Sequence, residues 1–206
     1  MCTAWPVWNW ADSSGGATAW VAAVDVMRLR FVPIHLFRET PQVTFFDASV
    51  PHSNGTDVVV HSGAAVSPPD DADGFEQYYV HQHQVDHNLV LEGERCFILL
   101  NPAWAQPHHV VQLVRAMGAL EIPVGTFHRS VSSAQGSLVL NQSIRDGAFD
   151  YATEFVPVSL RDRPDLQQAR AVRPWLWSWQ HGHIRRSHGA EAVAGLNHPA
   201  ATLPAG

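Results

Sequence analysis

The stretch YYVHQHQVDHNLVLEG, residues 78–93, places three histidines and an aspartate within seven positions: His81, His83, Asp86 and His87. The rest of the stretch reads as a half-buried strand. Burying such groups costs free energy unless something satisfies them, so a metal ion, a substrate or water must account for them. In a strand, residues i and i+2 face the same way, about 6.6 Å apart along the chain. His81 and His83 are therefore expected to share a face, where two imidazoles can take adjacent positions on one metal ion. The bland alternative is an exposed strand face with solvated histidines. A second segment, GALEIPVGTFHRSV (residues 118–131), ends a strand with Pro123-x-Gly125-x-x-His128 and adds another imidazole.

These residues must be held by a fold that 206 residues can build. A hydrophobic share of 46% and a charged share of 16% are those of one folded domain with tails. All 13 basic residues are Arg. Without Lys there is no Schiff base, no P-loop lysine and no lysine acid or base. A formal charge of −6 argues against a nucleic-acid partner. Cys2 and Cys96 make no disulfide framework, and Cys96 sits in an apolar run as a small core residue would. No basic, apolar leader and no run approaching the ~20 apolar residues of a membrane span is evident. The expected compartment is the cytoplasm, with the sequons at Asn54 and Asn141 accidental.

Short β-prone runs dominate the middle of the chain. WVAAVDVMRLRFVPIHLF and QVTFF are broken at Pro33 and Pro41, and SVPHSNGTDVVVHSG suggests a hairpin about its Asn-Gly turn. FEQYYVHQH, HNLVLEG, RCFILLN, HVVQLVR, ALEIP and SLVLNQSIR follow with turn signals between them. The pattern predicts an all-β sandwich or barrel. The expected divisions are an N-terminal arm over 1–18, a β-barrel over 19–160, a short helical Trp-rich segment over 161–180 and a flexible tail over 181–206. Trp175, Trp177 and Trp179 are expected to dock on the barrel or on a partner subunit. His181, His183 and His188 read as a solvated tail rather than a metal site.

His-x-His, a carboxylate and a Gly turn, followed later by Pro-x-Gly-x-x-His, resembles the two-motif signature of the cupin superfamily. The resemblance covers residues 74–145. It implies a jelly-roll barrel, a double-stranded β-helix with short irregular or helical flanks, whose interior histidines converge on a metal. Gly74 leads into the first motif, His81 and His83 match its paired ligands, and Gly93 matches its closing turn. The remaining ligand of that motif is Asp86 by counting back from Gly93, or His87 by counting forward from His83. Strand alternation favours Asp86, which shares a face with Asn88 and Val90. His128 matches the ligand of the second motif, and Ser132 replaces a frequent Asn. The implied cofactor is one divalent transition metal: Fe, Mn, Ni, Cu or Zn. Inward positions should include His81, His83 and His128 with Val90, Phe97, Leu99 and Ile122.

Within the superfamily the same residues are similar to sugar-nucleotide cupins of the dTDP-4-dehydrorhamnose 3,5-epimerase type. Those use no metal: a His removes the proton beside the sugar ketone, a Lys stabilises the enolate and a Tyr reprotonates. On that reading His81 or His83 is the base, supported by Asp86 or His128. The Lys is impossible here, and Tyr78, Tyr79 and Tyr151 are substitutes for the Tyr by proximity, Tyr79 being the one placed in the expected catalytic set. Arg95, Arg129 and Arg145 are scattered through the region without forming a phosphate clamp. The leading expectation is a metal-dependent isomerase, lyase or dioxygenase acting on a small oxygenated molecule. A metal-free epimerase-like enzyme and a non-catalytic ligand-binding cupin are the alternatives. The expected partners are a small-molecule substrate and a second copy of the chain in a homodimer, with no nucleic acid and no membrane.

Overall fold

A computed structural model describes residues 29–188. Among them the chain begins with β1 (Arg30–Val32), β2 (His35–Glu39), β3 (Thr44–Asp47), β4 (Gly55–His61), β5 (Ala65–Ser67) and β6 (Gln77–Tyr78). The central strands are β7 (Gln84–Gly93), β8 (Arg95–Leu100), β9 (His108–Leu113), β10 (Ala119–Ile122), β11 (Phe127–Ser132) and β12 (Ser137–Arg145). Helix α1 (Tyr151–Glu154), β13 (Val158–Ser159), α2 (Pro164–Ala171), β14 (Trp175–Gln180) and β15 (His183–His188) follow. None of the described helices is long and apolar enough to cross a membrane.

Two sheets face each other, in the orders β1-β10-β7-β12-β4 and β15-β14-β9-β8-β11-β5. From β7 to β12 the chain passes back and forth between them, which is the path of a jelly roll. The sheets stay open at their edges. Alternation along β7 turns Asp86, Asn88 and Val90 inward, while Leu89 joins a separate cluster on the outside with Val50 and Ala119. Val90, Phe97, Leu99, Val111, Leu120, Ile122 and Val139 make the core between the sheets. Each such side chain contributes roughly 1.5–3 kcal/mol by leaving water. The four apolar residues expected inside, Val90, Phe97, Leu99 and Ile122, are all in this cluster.

β8 is buried along its whole length because both of its faces are covered. Phe97 and Leu99 face the opposite sheet, while Cys96, Ile98 and Leu100 lie beneath Leu166 and Ala169 of α2. Gly93 closes the β7–β8 turn at φ +72°, and a Cβ there would stand 2.7 Å from the Gly136 carbonyl oxygen. Only glycine takes that conformation without strain.

Several expectations change on the flanks. The helix begins at Pro164, where a missing N–H costs nothing, but it ends at Ala171. Trp175–Gln180 is a strand that adds to β9 in parallel, so the sheet continues past residue 160. Trp177 is buried there and its indole N–H donates to His109 Nδ1 at 3.1 Å. Trp175 stacks on His188, and Trp179 is exposed. The docking of the C-terminal tryptophans is thus largely within the chain. Residues 183–188, expected in a flexible tail, return as β15 against β14. The Asn54-Gly55 turn makes no local hairpin: β4 pairs with β12, and Asn54 is held by the backbone of Arg145. The remainder of the tail, the N-terminal arm with Trp5, Trp8 and Trp10, and residues 19–28 with Trp20 lie outside the described residues.

Candidate functional site

The first histidine of the cluster does not stand on a regular strand. Residues 80–83 form a bend between β6 and β7. The Tyr79 N–H donates to the His128 carbonyl at 2.9 Å, and the His128 N–H donates back to Tyr79 at 2.8 Å. The Gly125 N–H donates to the His81 carbonyl at 2.8 Å. Beyond it, the Gln82 and His83 N–H groups donate to Glu154 Oε2 at 2.9 and 3.3 Å. The Pro-x-Gly-x-x-His segment and α1 therefore grip the bend from two sides, with a buried carboxylate accepting backbone donors that no strand partner takes.

This bend separates His81 from His83. His81 is buried, whereas the His83 side chain is 40% exposed and pairs with Asp146 at 3.0 Å. The expected shared face is lost because the backbone turns between them. His87 also leaves the set. It lies on the other face of β7, with Nδ1 donating to the Gln142 carbonyl at 3.1 Å and Nε2 3.4 Å from Glu121. The structure brings together His81, Asp86 and His128 instead.

Asp86 Oδ2 lies 3.4 Å from His81 Nε2 and 3.7 Å from His128 Nε2, and the two rings have centroids 5.0 Å apart. The other carboxylate oxygen, Oδ1, accepts from Gln84 Nε2 at 2.6 Å and Asn141 Nδ2 at 2.8 Å. Gln84 is itself fixed by Arg145, whose Nε donates to Gln84 Oε1 at 2.7 Å and whose Nη2 pairs with Asp57 at 2.6 Å. Glu154 Oε2 stands 3.5 Å from His81 Nδ1.

These neighbours set the charges. Burial works against a charged His81, but the Asp86 and Glu154 carboxylates outweigh it and raise the imidazole above its ordinary value. Burial also works against ionised Asp86, yet the hydrogen bond to His81, the charge near His128 and Asn141 keep its carboxyl below the usual range. His128 is pushed down to about 4 by burial, which Asp86 only partly offsets. Its Nδ1–H donates to the Thr126 carbonyl at 3.2 Å, so the neutral ring turns Nε2 toward Asp86.

The cluster opens into a cavity of about 370 Å³ between the two sheets. Tyr79, Tyr151 and Phe155 line it, the rings of Tyr151 and Phe155 being stacked at 15°. Deeper in are Asn88, Asn141, Val59, Phe97 and Ser130. Arg145 Nη1 donates to the Tyr151 hydroxyl at 2.8 Å. Tyr78 is excluded: it is buried beneath the sheet with its hydroxyl donating to Glu76 at 2.6 Å. A depression of about 450 Å³ beside β2 and β3, lined by Leu36, Leu91 and Arg115, lies apart from this chemistry.

A motif count could not find Gln84, Asn141, Glu154 or Ser130. Gln84 shares strand parity with Asp86, which is a signal of sorts. Asn141 and Ser130 depend on register, and Glu154 depends on a contact 72 residues away.

No protein-family profile matches the chain, and no curated protein sequence does. Among solved structures, a sugar 3,4-ketoisomerase from Thermoanaerobacterium thermosaccharolyticum in complex with TDP superposes with a TM-score of 0.50. It is 10% identical, over 69% of this chain and 94% of that one. The fold is that of the cupins. A dTDP-4-dehydrorhamnose 3,5-epimerase from Elizabethkingia anophelis is 11% identical with a TM-score of 0.49, over 69% of this chain and 80% of its own. The corresponding epimerase from Bacillus anthracis, with TDP and PPi bound, is 14% identical with a TM-score of 0.48, over 69% and 84%. At these identities the likeness is one of fold. In this jelly roll the cavity lies between the two sheets, with β7 and β11 contributing polar residues and β8 contributing Phe97 to its wall.

Proposed function

We propose that this cupin is an acid–base isomerase or epimerase that moves a proton on the carbon beside the carbonyl of a sugar-like substrate, without a metal. The observation that carries this reading is the buried His81–Asp86 pair at the edge of the cavity. Neutral His81 keeps its Nδ1–H toward Glu154, and its Nε2 takes the proton from carbon. Asp86 fixes the ring and stabilises the imidazolium that results. The electron pair left on carbon moves to the carbonyl oxygen, and the enolate oxygen needs donors. With no Lys in the chain, the Asn88 amide is a donor lining the same space. Tyr79 and Tyr151 supply hydroxyls for return of a proton, and His83 has no part.

Proteins of this fold that bind TDP make a nucleoside-diphosphate keto sugar the first substrate to test. In D2O, wild-type protein should introduce deuterium beside the carbonyl, followed by proton NMR. The His81→Gln variant should not, and Tyr79→Phe and Tyr151→Phe identify which hydroxyl returns the proton. Exchange undiminished in His81→Gln sinks the reading. Ligand-induced stabilisation without any exchange favours a binding protein.

A metal-dependent reading has one observation in its favour. Single ligand atoms of His81, Asp86 and His128 all lie within 4.8 Å of one another, which is the donor set of a two-histidine, one-carboxylate site. Fe, Mn, Ni, Cu or Zn held there would supply Lewis acidity toward a substrate oxygen. Elemental analysis decides: close to one metal per chain, lost in Asp86→Ala, establishes this second reading. Its absence, with no rise in melting temperature on metal addition, leaves the acid–base reading.

A further inference from the structure

The innermost part of the space between the sheets holds a cation with no anion. Arg95, at the start of β8, is 1% exposed. Its Nε donates to Ser137 Oγ at 2.7 Å, and its Nη1 to His61 Nε2 at 3.1 Å and Ser130 Oγ at 3.3 Å. Its Nη2 donates to the carbonyls of Val59 and Ser137 at 3.4 and 3.3 Å. Every acceptor is neutral, and among the described residues no carboxylate lies within ion-pair distance. Arg129 and Arg145 differ: Arg129 pairs with Asp70 and Glu76, and Arg145 with Asp57. A buried charge without a counter-charge is costly, and an arriving anion relieves that cost.

The direction of the hydrogen bonds points the effect into the cavity. A guanidinium only donates, so His61 Nε2 must accept and His61 Nδ1–H must donate to Ser132 Oγ, 2.8 Å away. Ser132 and Ser137 close the chain at 2.6 Å. Ser130 also accepts from Arg95, and its own O–H has no acceptor among the described residues. Ser130 lines the cavity, two residues along β11 from His128. Its hydroxyl is thus a donor, polarised by a buried cation, about 6.6 Å along the strand from His128.

We propose that this inner end is a carboxylate subsite, so that the substrate is a sugar acid or similarly sized oxo or hydroxy acid. Its carboxylate accepts the Ser130 O–H above Arg95 while its reacting carbon lies beside His81. The placement of the reacting carbon rests on the acid–base reading, whereas the carboxylate subsite does not. A cavity of about 370 Å³ takes a monosaccharide-sized molecule and leaves any nucleotide outside the mouth.

The test is calorimetric binding of D-glucuronate and D-galacturonate against D-glucose, D-galactose and D-glucuronamide, which keep the rings and lose the charge. At least one acid should bind tenfold or more tightly than its neutral counterparts. Ser130→Ala should remove most of that preference with the fold retained, and Arg95→Met should remove it where that variant folds. His81→Gln should still prefer the acid, because it leaves the inner end intact. No preference for either acid, or a preference untouched in Ser130→Ala, overturns the subsite whatever the deuterium exchange shows. Lost exchange with retained acid preference in the wild type overturns only the acid–base reading.

Discussion

With Oδ1 held by Gln84 and Asn141, Asp86 has only Oδ2 for two imidazoles, and the surroundings decide which of them charges. Burial keeps His128 neutral, whereas the closer Asp86 contact, with Glu154 beside the same ring, outweighs burial at His81, so His81 takes the proton more readily. A base is active when neutral, so the acidic limb of kcat/KM should lie above the ~6.5 of an ordinary histidine. Asp86→Asn removes the carboxylate that raises it. The limb should then move to lower pH, and kcat should fall by roughly 10²–10⁴ with the fold retained. An unmoved limb places the titration elsewhere. The same contact has a stability consequence of fixed sign. The folded value of His81 is raised, so its contribution is complete below about 6.5 and is lost as pH rises through the folded value. His83→Ala, in contrast, should leave activity within about twofold, since surface pairs of this kind contribute little. Of this site the sequence made legible His81, Asp86 and His128, through two motifs and strand parity. It could not show that His83 turns away, because the turn depends on Glu154, an acceptor brought in by a short helix.

The elements that aim these residues can be weakened separately. Gly125 has φ +72°, yet a Cβ there would meet nothing within 4 Å, so Gly125→Ala brings backbone strain without a clash. We expect a loss of roughly 1–2 kcal/mol in chemical denaturation, with a fall in kcat because the Gly125 N–H holds the His81 carbonyl. Leu166→Ala makes the opposite separation. Leu166 is fully buried against Ile98, Leu100 and Val110, on the side of β8 away from the cavity. It should cost about 2–5 kcal/mol while leaving kcat unchanged at temperatures where the protein is folded. A matching loss of activity would tie α2 to the site. The strands from β7 to β12, apart from β11, were readable because each has one face in the core and a turn residue at its end; β11, which carries His128 and Ser130, was not among the expected strands. β14 was not, because WLWSWQ follows a helix directly and its partner β9 runs parallel to it, a pairing set only in three dimensions. The absence of a hairpin at Asn54 has the same origin: a local turn signal is overruled when β12 offers a longer partner.

At the scale of the whole molecule, buried neutral histidines set the response to acid. Burial pushes both His61 and His109 down to about 4, with Arg95 adding to the effect at His61. The unfolded chain protonates these rings near 6.5, so between about 6.5 and 4 it binds up to two protons more than the folded one. Stability should therefore fall as pH drops through that window, by up to about 2.7 kcal/mol per pH unit from these two groups. Urea titrations at several pH values measure the slope, and His109→Gln should reduce it. A flat profile from pH 6.5 to 4 contradicts the burial of these rings. An all-β sandwich or barrel was legible from spacing and turn signals, and the jelly roll from the resemblance to cupins, whereas the depth of the polar interior was not. Arg95, His61 and the serines around them are distant in sequence and meet only when β4, β8, β11 and β12 are in register. Arg95 lies directly behind two lining residues of the cavity, Val59 and Ser130, to which it donates hydrogen bonds. A substrate held against that end of the cavity has Tyr151 and Phe155 beside it, and one small enough for about 370 Å³ is a free small molecule or the last unit of a chain rather than the middle of a polymer.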